Sequence, residues 1–227
     1  MDPKQRAADA ALAYVRSGMV VGLGTGSTAD FFLQGLAAAL ADGRLAGVRG
    51  IPTSRQSERR ALELHIPLTT LAQCPTADVT IDGADEIDPN LDLIKGLGGA
   101  LVREKIVAQN SRLLIIIADA SKVVDRLGSK APLPVEVVPF AHEAQVPFFR
   151  TLGAVPTLRR SAAGETFVTD NGNYIYDCRF AGGIEKLRTV AAALADRAGV
   201  VDTGLFLDMA SRVLVAGDGG VEERVRE

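Results

Sequence analysis

Tryptophan is absent from the 227 residues, and aromatic residues make up only 5% of them. A chain so poor in aromatics, yet holding 23 glycines, points to a layered α/β protein with Gly-rich turns. Cysteine is scarce as well. Cys74 and Cys178 lie in unrelated segments without C-x-x-C spacing, which excludes a disulfide framework and a cysteine metal site. No long apolar run exists: Leu113–Ala118 falls far short of the roughly 20 residues of a membrane helix. Residues 1–10 are polar and charged, not a secretory apolar region, so a soluble cytoplasmic protein is expected. There is no excess of positive charge. The net charge of −3 offers no global field for nucleic acid, although local basic groups can still bind a small anion. The two histidines, His65 and His142, have no partner suggested by spacing, and no G-x-S-x-G elbow supports a hydrolase.

What is present is 47% hydrophobic and 23% charged, enough for a buried core and too ordered in pattern for disorder. The first half alternates element types. Helical patterns cover Lys4–Val15, Ala29–Leu40, Arg55–Leu64 and Gly99–Asn110. Between them stand short apolar strands at Met19–Leu23, Val48–Ile51, Val79–Ile81 and Leu113–Ala118. This interleaving predicts a Rossmann-like, doubly wound, mainly parallel sheet.

After Lys130 the texture changes, with Ala131-Pro-Leu-Pro134 as the crossing point into a second unit. The order there is strand Val135–Val138, helix His142–Leu152, strand Val155–Arg159, a hairpin, helix Ile184–Arg197 and strand Val200–Phe206. Asn171-Gly172, between Phe167-Val168 and Tyr174–Tyr176, suits a type I′ turn. Strand, helix, two strands, helix, strand is the ferredoxin-like α+β order. The run Arg212–Ala216 reads as a strand returning to the first unit. The expected domains are therefore 1–130 plus 207–227, and 131–206.

Four motifs carry candidate chemistry. Gly24-Thr25-Gly26-Ser27-Thr28 joins a strand to a helix, where backbone amides, the helix dipole and two hydroxyls suit a phosphate. The same residues also serve as an ordinary tight turn with Ser27 as N-cap. Gly24-x-Gly26-x-x-Ala29 matches the dinucleotide fingerprint formally, but the next strand ends Ile51-Pro52-Thr53-Ser54 without the acid that would hold a ribose hydroxyl. Asp82-Gly83-Ala84-Asp85-Glu86 follows a strand, where α/β proteins gather their ligands; a solvated turn and a Mg²⁺ site fit it too.

Lys95-Gly96-Leu97-Gly98-Gly99 leads into a helix and combines free amides with an ammonium group. On that helix Glu104 has Ala100, Leu101, Val107 and Ala108 as its i±3 and i±4 neighbours, so it either snorkels at the edge of the core or is kept there for a task, where desolvation would raise its pKa toward the range useful for proton transfer. Lys122 stands just beyond the strand 113–118. A phosphate cradle, two acids, one or two ammonium groups and a half-buried carboxylate suit proton abstraction beside the carbonyl of a phosphorylated sugar.

The ordered set GLGTGSTA, PTS, DGADEID, IKGLGGALVREKI, ADASK, PLPVEV, VTDNGNYIYD and GLF resembles ribose-5-phosphate isomerase of type A, from Met19 to Phe206. The resemblance implies interconversion of ribose 5-phosphate and ribulose 5-phosphate through an enediolate, without metal or other cofactor, in the pentose phosphate pathway. It implies Glu104 as the base. Asp82, Asp85 and Lys95 would bind sugar hydroxyls and the oxyanion, with Gly83, Ala84, Gly96, Leu97 and Gly98 lining the substrate. Thr25, Gly26, Ser27 and Thr28 would form the substrate-binding loop, with Ser27 and Thr28 placed for the phosphate; Lys122 would be a further substrate contact and Lys4 a phosphate-binding lysine. The partners implied are a small sugar phosphate and further copies of the chain, as a homodimer or homotetramer, with no nucleic acid and no membrane. The family usually reads KGGG where this chain has Leu97; if that position needs positive φ, leucine there costs about 1 kcal/mol or more. A sugar-phosphate sensor and an isomerase of another phosphosugar are the other readings.

Overall fold

The computed structural model describes residues 2–226, so both terminal residues of the expected first domain lie outside it. In chain order the elements begin with α1 (Pro3–Ala11), β1 (Val20–Leu23), α2 (Ser27–Ala41), β2 (Arg49–Pro52), α3 (Arg55–Glu63) and β3 (Val79–Asp82). Two short strands, β4 (Glu86–Ile87) and β5 (Leu93–Ile94), precede α4 (Leu101–Gln109) and β6 (Leu114–Asp119). Then come β7 (Leu133–Val137), α5 (Gln145–Thr151), β8 (Ala154–Leu158), β9 (Tyr174–Phe180), α6 (Leu187–Ala195) and β10 (Val200–Thr203). The chain closes with β11 (Leu205–Phe206), β12 (Arg212–Gly217) and β13 (Gly220–Val225).

The chain divides into two compact units. The first comprises Met1–Ala84, Arg103–Lys122 and Leu207–Glu227; the second comprises Asp85–Val102 and Val123–Phe206. Residues 85–102 and 123–130 thus group with the second unit, where the sequence expectation had placed them in the first.

The first unit is built on a six-stranded sheet in the order β13-β12-β6-β3-β1-β2. All neighbours are parallel except β13, which pairs antiparallel with β12 at the edge. Leu114–Ala118 is buried at every position, as a parallel strand covered on both faces must be. Ile115, Ile117, Leu214, Val21, Leu23 and Ile81 share one core with Phe32, Leu33 and Leu36 of α2 and with the alanines of α1. Local signals fix the helix starts: Asp2 accepts from Lys4 N–H ahead of Pro3, and Ser54 with Ser57 forms a reciprocal cap on α3. From β1 the chain goes to β2 on one side and to β3 on the other. The sheet therefore switches direction at β1/β3, beyond Leu23 and Asp82, the crevice where α/β folds bind ligands.

The second unit contains a four-stranded sheet ordered β10-β7-β9-β8, every pair antiparallel, with α5 and α6 in the positions of a βαββαβ ferredoxin-like unit. A three-stranded antiparallel sheet, β11-β5-β4, completes it.

Several expectations are corrected. The single strand 200–206 is two strands in different sheets, broken at Gly204, whose N–H bonds Pro134 O and whose carbonyl receives Lys95 N–H. The turn at Asn171-Gly172 is not type I′, because Gly172 has φ +83° but Asn171 is not in the positive region. Side chains shape it instead. Thr169 Oγ1 accepts from the N–H groups of Asn171 and Asn173. Thr169, Asn171 and Asn173 then all donate to Oε1 of Glu136, which is fully buried on β7. Phe167-Val168 consequently forms no strand; Phe167 N–H bonds Arg159 O alone. His65, just past the Leu64 C-cap of α3, is exposed and takes φ +56°, the left-handed turn that ends a helix.

The last strand of the parallel series arrives only with residue 212, so the first unit depends on it. Leu214→Ala should destabilise the protein by about 2–5 kcal/mol, read as a lowered urea midpoint; a loss below about 1 kcal/mol would show that β12 is dispensable to this core.

Candidate active site

In the first unit the predicted residues gather at the switch point. Gly24 approaches β3 so closely that a Cβ there would lie 2.3 Å from Asp82 Oδ1 and 2.6 Å from its Cα. This lets Asp82, 1% exposed, accept hydrogen bonds at Oδ1 from Thr25 N (3.0 Å) and Gly83 N (2.7 Å). The Thr25 hydroxyl does not face solvent. It lies 2.8 Å from Thr53 Oγ1 and donates to Ser54 Oγ at 2.7 Å, so the Pro-Thr-Ser segment after β2 anchors the loop.

Gly26, at φ +107°, is the N-cap of α2, and no side chain caps the helix. Ser27, read from sequence as a possible N-cap, is instead the first helical residue, followed by Thr28. Lys4 on α1 donates to Ser27 Oγ at 2.9 Å. Lys122 ends the short 3₁₀ turn Ala120–Lys122 directly after β6. Its charge and that of Lys4 both act on Asp119. Burial would raise the Asp119 pKa, but hydrogen bonds from Ser121 and these two ammonium groups bring it below the usual carboxylate range. An uncapped helix N-terminus with two hydroxyls and nearby lysines is chemically an anion cradle.

Helix α4 carries Glu104 at 4% exposure. The stripe read from the wheel is buried throughout: Ala100 6%, Leu101 0%, Val107 4% and Ala108 8%. Lys105 is buried too, while Ile106 is exposed, so the helix hides charges and shows an aliphatic side chain.

In the second unit, Lys95 is 2% exposed and its ammonium stands 5.5 Å from the centre of the Phe206 ring. Its backbone N–H bonds Gly204 O, where a Cβ would meet Lys95 O at 2.2 Å. That contact explains the Gly-Leu-Phe motif. Residues 96–99 form a turn closed by Gly99 N–H on Gly96 O. Gly96 and Gly99 hold φ +98° and +82°, whereas Leu97 and Gly98 do not enter the positive region. Leucine is therefore unstrained at position 97, and its N–H donates to Asp85 Oδ2 at 2.9 Å. Ala84 and Asp85 are both partly exposed.

The third acid of the motif has another task. Glu86 is fully buried and accepts from the backbone N–H groups of Gly128, Lys130 and Ala131, tying down the segment before β7. No signal in the sequence distinguishes it from Asp82 or Asp85, because its partners lie more than forty residues away. Among the described residues, no group of three or more His, Cys, Asp or Glu side chains is placed to hold a metal ion. No described helix is long and apolar enough to cross a membrane.

A parallel α/β sheet whose switch point carries an anion cradle and a buried acid, in a chain that also holds a ferredoxin-like unit, defines a two-unit α/β protein with a candidate anion site. Residues 49–220 match the family of ribose 5-phosphate isomerase A, phosphoriboisomerase A. A ribose-5-phosphate isomerase A from Roseiflexus castenholzii is 54% identical over 97% of this chain and 94% of its own length. The solved ribose 5-phosphate isomerase of Plasmodium falciparum superposes with a TM-score of 0.95 at 43% identity, covering 99% of this chain and 98% of its own. A D-ribose-5-phosphate isomerase solved in complex with phospho-erythronic acid gives a TM-score of 0.95 at 38% identity, with full coverage of both chains. The chain belongs to the ribose 5-phosphate isomerase A family, isomerases that interconvert ribose 5-phosphate and ribulose 5-phosphate.

The division of labour within Asp82–Glu86 is testable by stability alone. Glu86→Ala leaves three backbone donors, one of them buried and two part-buried, without their acceptor and should cost about 3 kcal/mol, whereas Asp85→Ala should cost about 1 kcal/mol. Urea titrations of both variants check this; equal losses would refute the distinction.

Proposed function

We propose that this chain converts ribose 5-phosphate to ribulose 5-phosphate and back through an enediolate, in the non-oxidative pentose phosphate pathway of the cytoplasm. Glu104 takes the proton from C2 and returns it to C1. The observation that carries this reading is the burial of that carboxylate on a helix that exposes Ile106 instead. Folding alone favours the opposite arrangement, and a desolvated carboxylate is a stronger base than one in water.

Lys95 stabilises the oxygen on which charge develops, since its ammonium is withdrawn from water and acts through a low dielectric. Asp82 and Asp85 accept hydrogen bonds from sugar hydroxyls. Gly83, Ala84, Gly96, Leu97 and Gly98 contribute backbone groups and contact surface. Ser27, Thr28 and the amides following Gly26 hold the phosphate, with Lys4 and Lys122 neutralising its charge. Thr25 acts here through its backbone, its hydroxyl being engaged by Thr53 and Ser54.

No cofactor or metal takes part in this reading. The residues assigned to substrate all lie within 1–130, and 131–206 is the assembly module of a homodimer or homotetramer. A relative has been solved with phospho-erythronic acid, and the same compound should compete with substrate here.

Glu104→Gln keeps the size of the side chain and removes the base. Its kcat should fall about 10²–10⁴-fold with KM little changed. In D₂O the wild type should place solvent deuterium on the transferred position, and exhaustive chelation should leave its turnover unchanged. Retention of more than about a tenth of kcat in Glu104→Gln would move the base elsewhere. Because Leu97 needs no special φ, Leu97→Gly should alter kcat by less than about tenfold, or 1.4 kcal/mol of barrier; a larger gain or loss in steady-state kinetics would contradict this.

A further inference from the structure

Two successive carbonyls of the turn at residues 96–99 are held by a residue that no motif singles out. Arg159 follows β8; its N–H bonds Ile175 O on β9, and its carbonyl receives Phe167 N–H. Its side chain is nearly buried, with 11% of its surface exposed. Nε donates to Asp177 Oδ2 at 2.9 Å and Nη2 to Asp177 Oδ1, a two-pronged ion pair that fixes the plane of the guanidinium. Nη1 then reaches two successive carbonyls, Gly96 O and Leu97 O, each at 3.0 Å. Below the guanidinium lies the Phe167 ring, 5.7 Å from Arg159 Cζ. That ring also covers Gly99 so tightly that a Cβ there would stand 2.5 Å from it.

We propose that Arg159 is a positioning residue for the isomerisation: with Asp177 and Phe167 it sets the peptide planes of residues 96–98. Those planes aim the Leu97 N–H at Asp85 and deliver the amides that follow Lys95. The inference rests on the reading of Asp85, Lys95 and this turn as substrate-binding groups.

Gly96 O already accepts from Gly99 N–H within the turn. A second donor, reaching both Gly96 O and Leu97 O, restrains the rotation of two adjacent peptides at once. Lysine cannot replace it, because a single ammonium does not match a carboxylate on two atoms and still span two carbonyls. A peptide plane that rotates moves the N–H on its other side, and misplacement by about 1 Å can cost 10²-fold in rate. The phosphate cradle draws on Lys4, Ser27, Thr28 and Lys122, all in the other unit, so it should not register the change.

The test uses the full chain, ribose 5-phosphate as substrate and inorganic phosphate as a probe of the cradle. Wild type is measured first; no turnover there refutes the proposed function itself and is thereby distinguished from a failure of the Arg159 inference. In Arg159→Met, kcat should fall about 10–100-fold while inhibition by inorganic phosphate changes less than about twofold. Asp177→Asn, which frees the guanidinium from its two-pronged partner, should give a smaller fall of the same kind. A folded Arg159→Met with kcat within about threefold of wild type overturns the proposal. So does a loss of kcat matched by an equal weakening of phosphate, which would mean general loosening. If Arg159→Met does not fold, Arg159→Lys, which keeps the stem over Phe167 and one charge for Asp177, decides the matter. A fall of at least about threefold with phosphate inhibition intact supports positioning, and wild-type kcat overturns it.

Discussion

A single hydrogen atom, the one Gly24 carries in place of a side chain, sets the geometry of the switch point. Any Cβ at this residue would occupy the space of the Asp82 backbone and carboxylate. With the glycine in place, the turn after β1 lies against the end of β3. Asp82 then serves two loops at once, through Thr25 N and Gly83 N. The Thr25 hydroxyl in turn reaches Thr53 and Ser54 after β2, so three loops are fixed to one another. The same constraint recurs two residues earlier, where a Cβ on Gly22 would fall 1.8 Å from Thr80 Oγ1. The direction in which the N-terminus of α2 points thus follows from steric exclusion along β1 rather than from a capping side chain, which Gly26 lacks.

Helix α4 shows the cost that such a scaffold supports. Burying Glu104 and Lys105 while exposing Ile106 reverses the pattern that stabilises an ordinary surface helix. The apolar side of the helix makes the reversal tolerable: Leu101 and Ala108 are buried, and Val107 packs in one cluster with Val20, Ile51 and Ala77. Local rules that a sequence breaks, at positions the fold could have filled with leucine, are where function concentrates. The carboxylate of Glu86 argues for care with that inference. It is as buried as any residue in the protein, yet three backbone donors account for it completely, so burial of an acid alone does not define a site.

The parallel sheet and the ferredoxin-like order were legible because their strands are short apolar runs and the crossovers from β1 to β2 and from β2 to β3 are single helices. The wheel around Glu104 was legible for the same reason, all its neighbours being within four residues. What escaped has partners far along the chain. Gly204 breaks a continuous apolar stretch because it must pass Lys95 and Pro134, more than sixty residues distant. Asn171-Gly172 carries a strong local turn signal, but Glu136 captures Thr169, Asn171 and Asn173 and imposes another geometry. The two-residue strands β4 and β5 were too short to show a period, and the edge strand β13, Gly-Val-Glu-Glu-Arg-Val, is too polar and exposed to show apolar alternation.

The glycines around Lys95 are not equivalent, and their differences explain how this chain departs from the usual family pattern without strain. Gly96 is required twice, by a φ of +98° and by Leu101, whose Cβ would stand 2.7 Å from an added methyl group. Gly99 is required by its φ of +82° and by the Phe167 ring. Position 97 meets neither constraint: its backbone is ordinary and its side chain is 41% exposed. Its N–H and carbonyl are both engaged, by Asp85 and Arg159, but those groups are common to every residue except proline at the donor. The turn therefore specifies the main chain at 97 and leaves the side chain open. A leucine there is a substitution on the outside of a loop whose shape is fixed at its two ends.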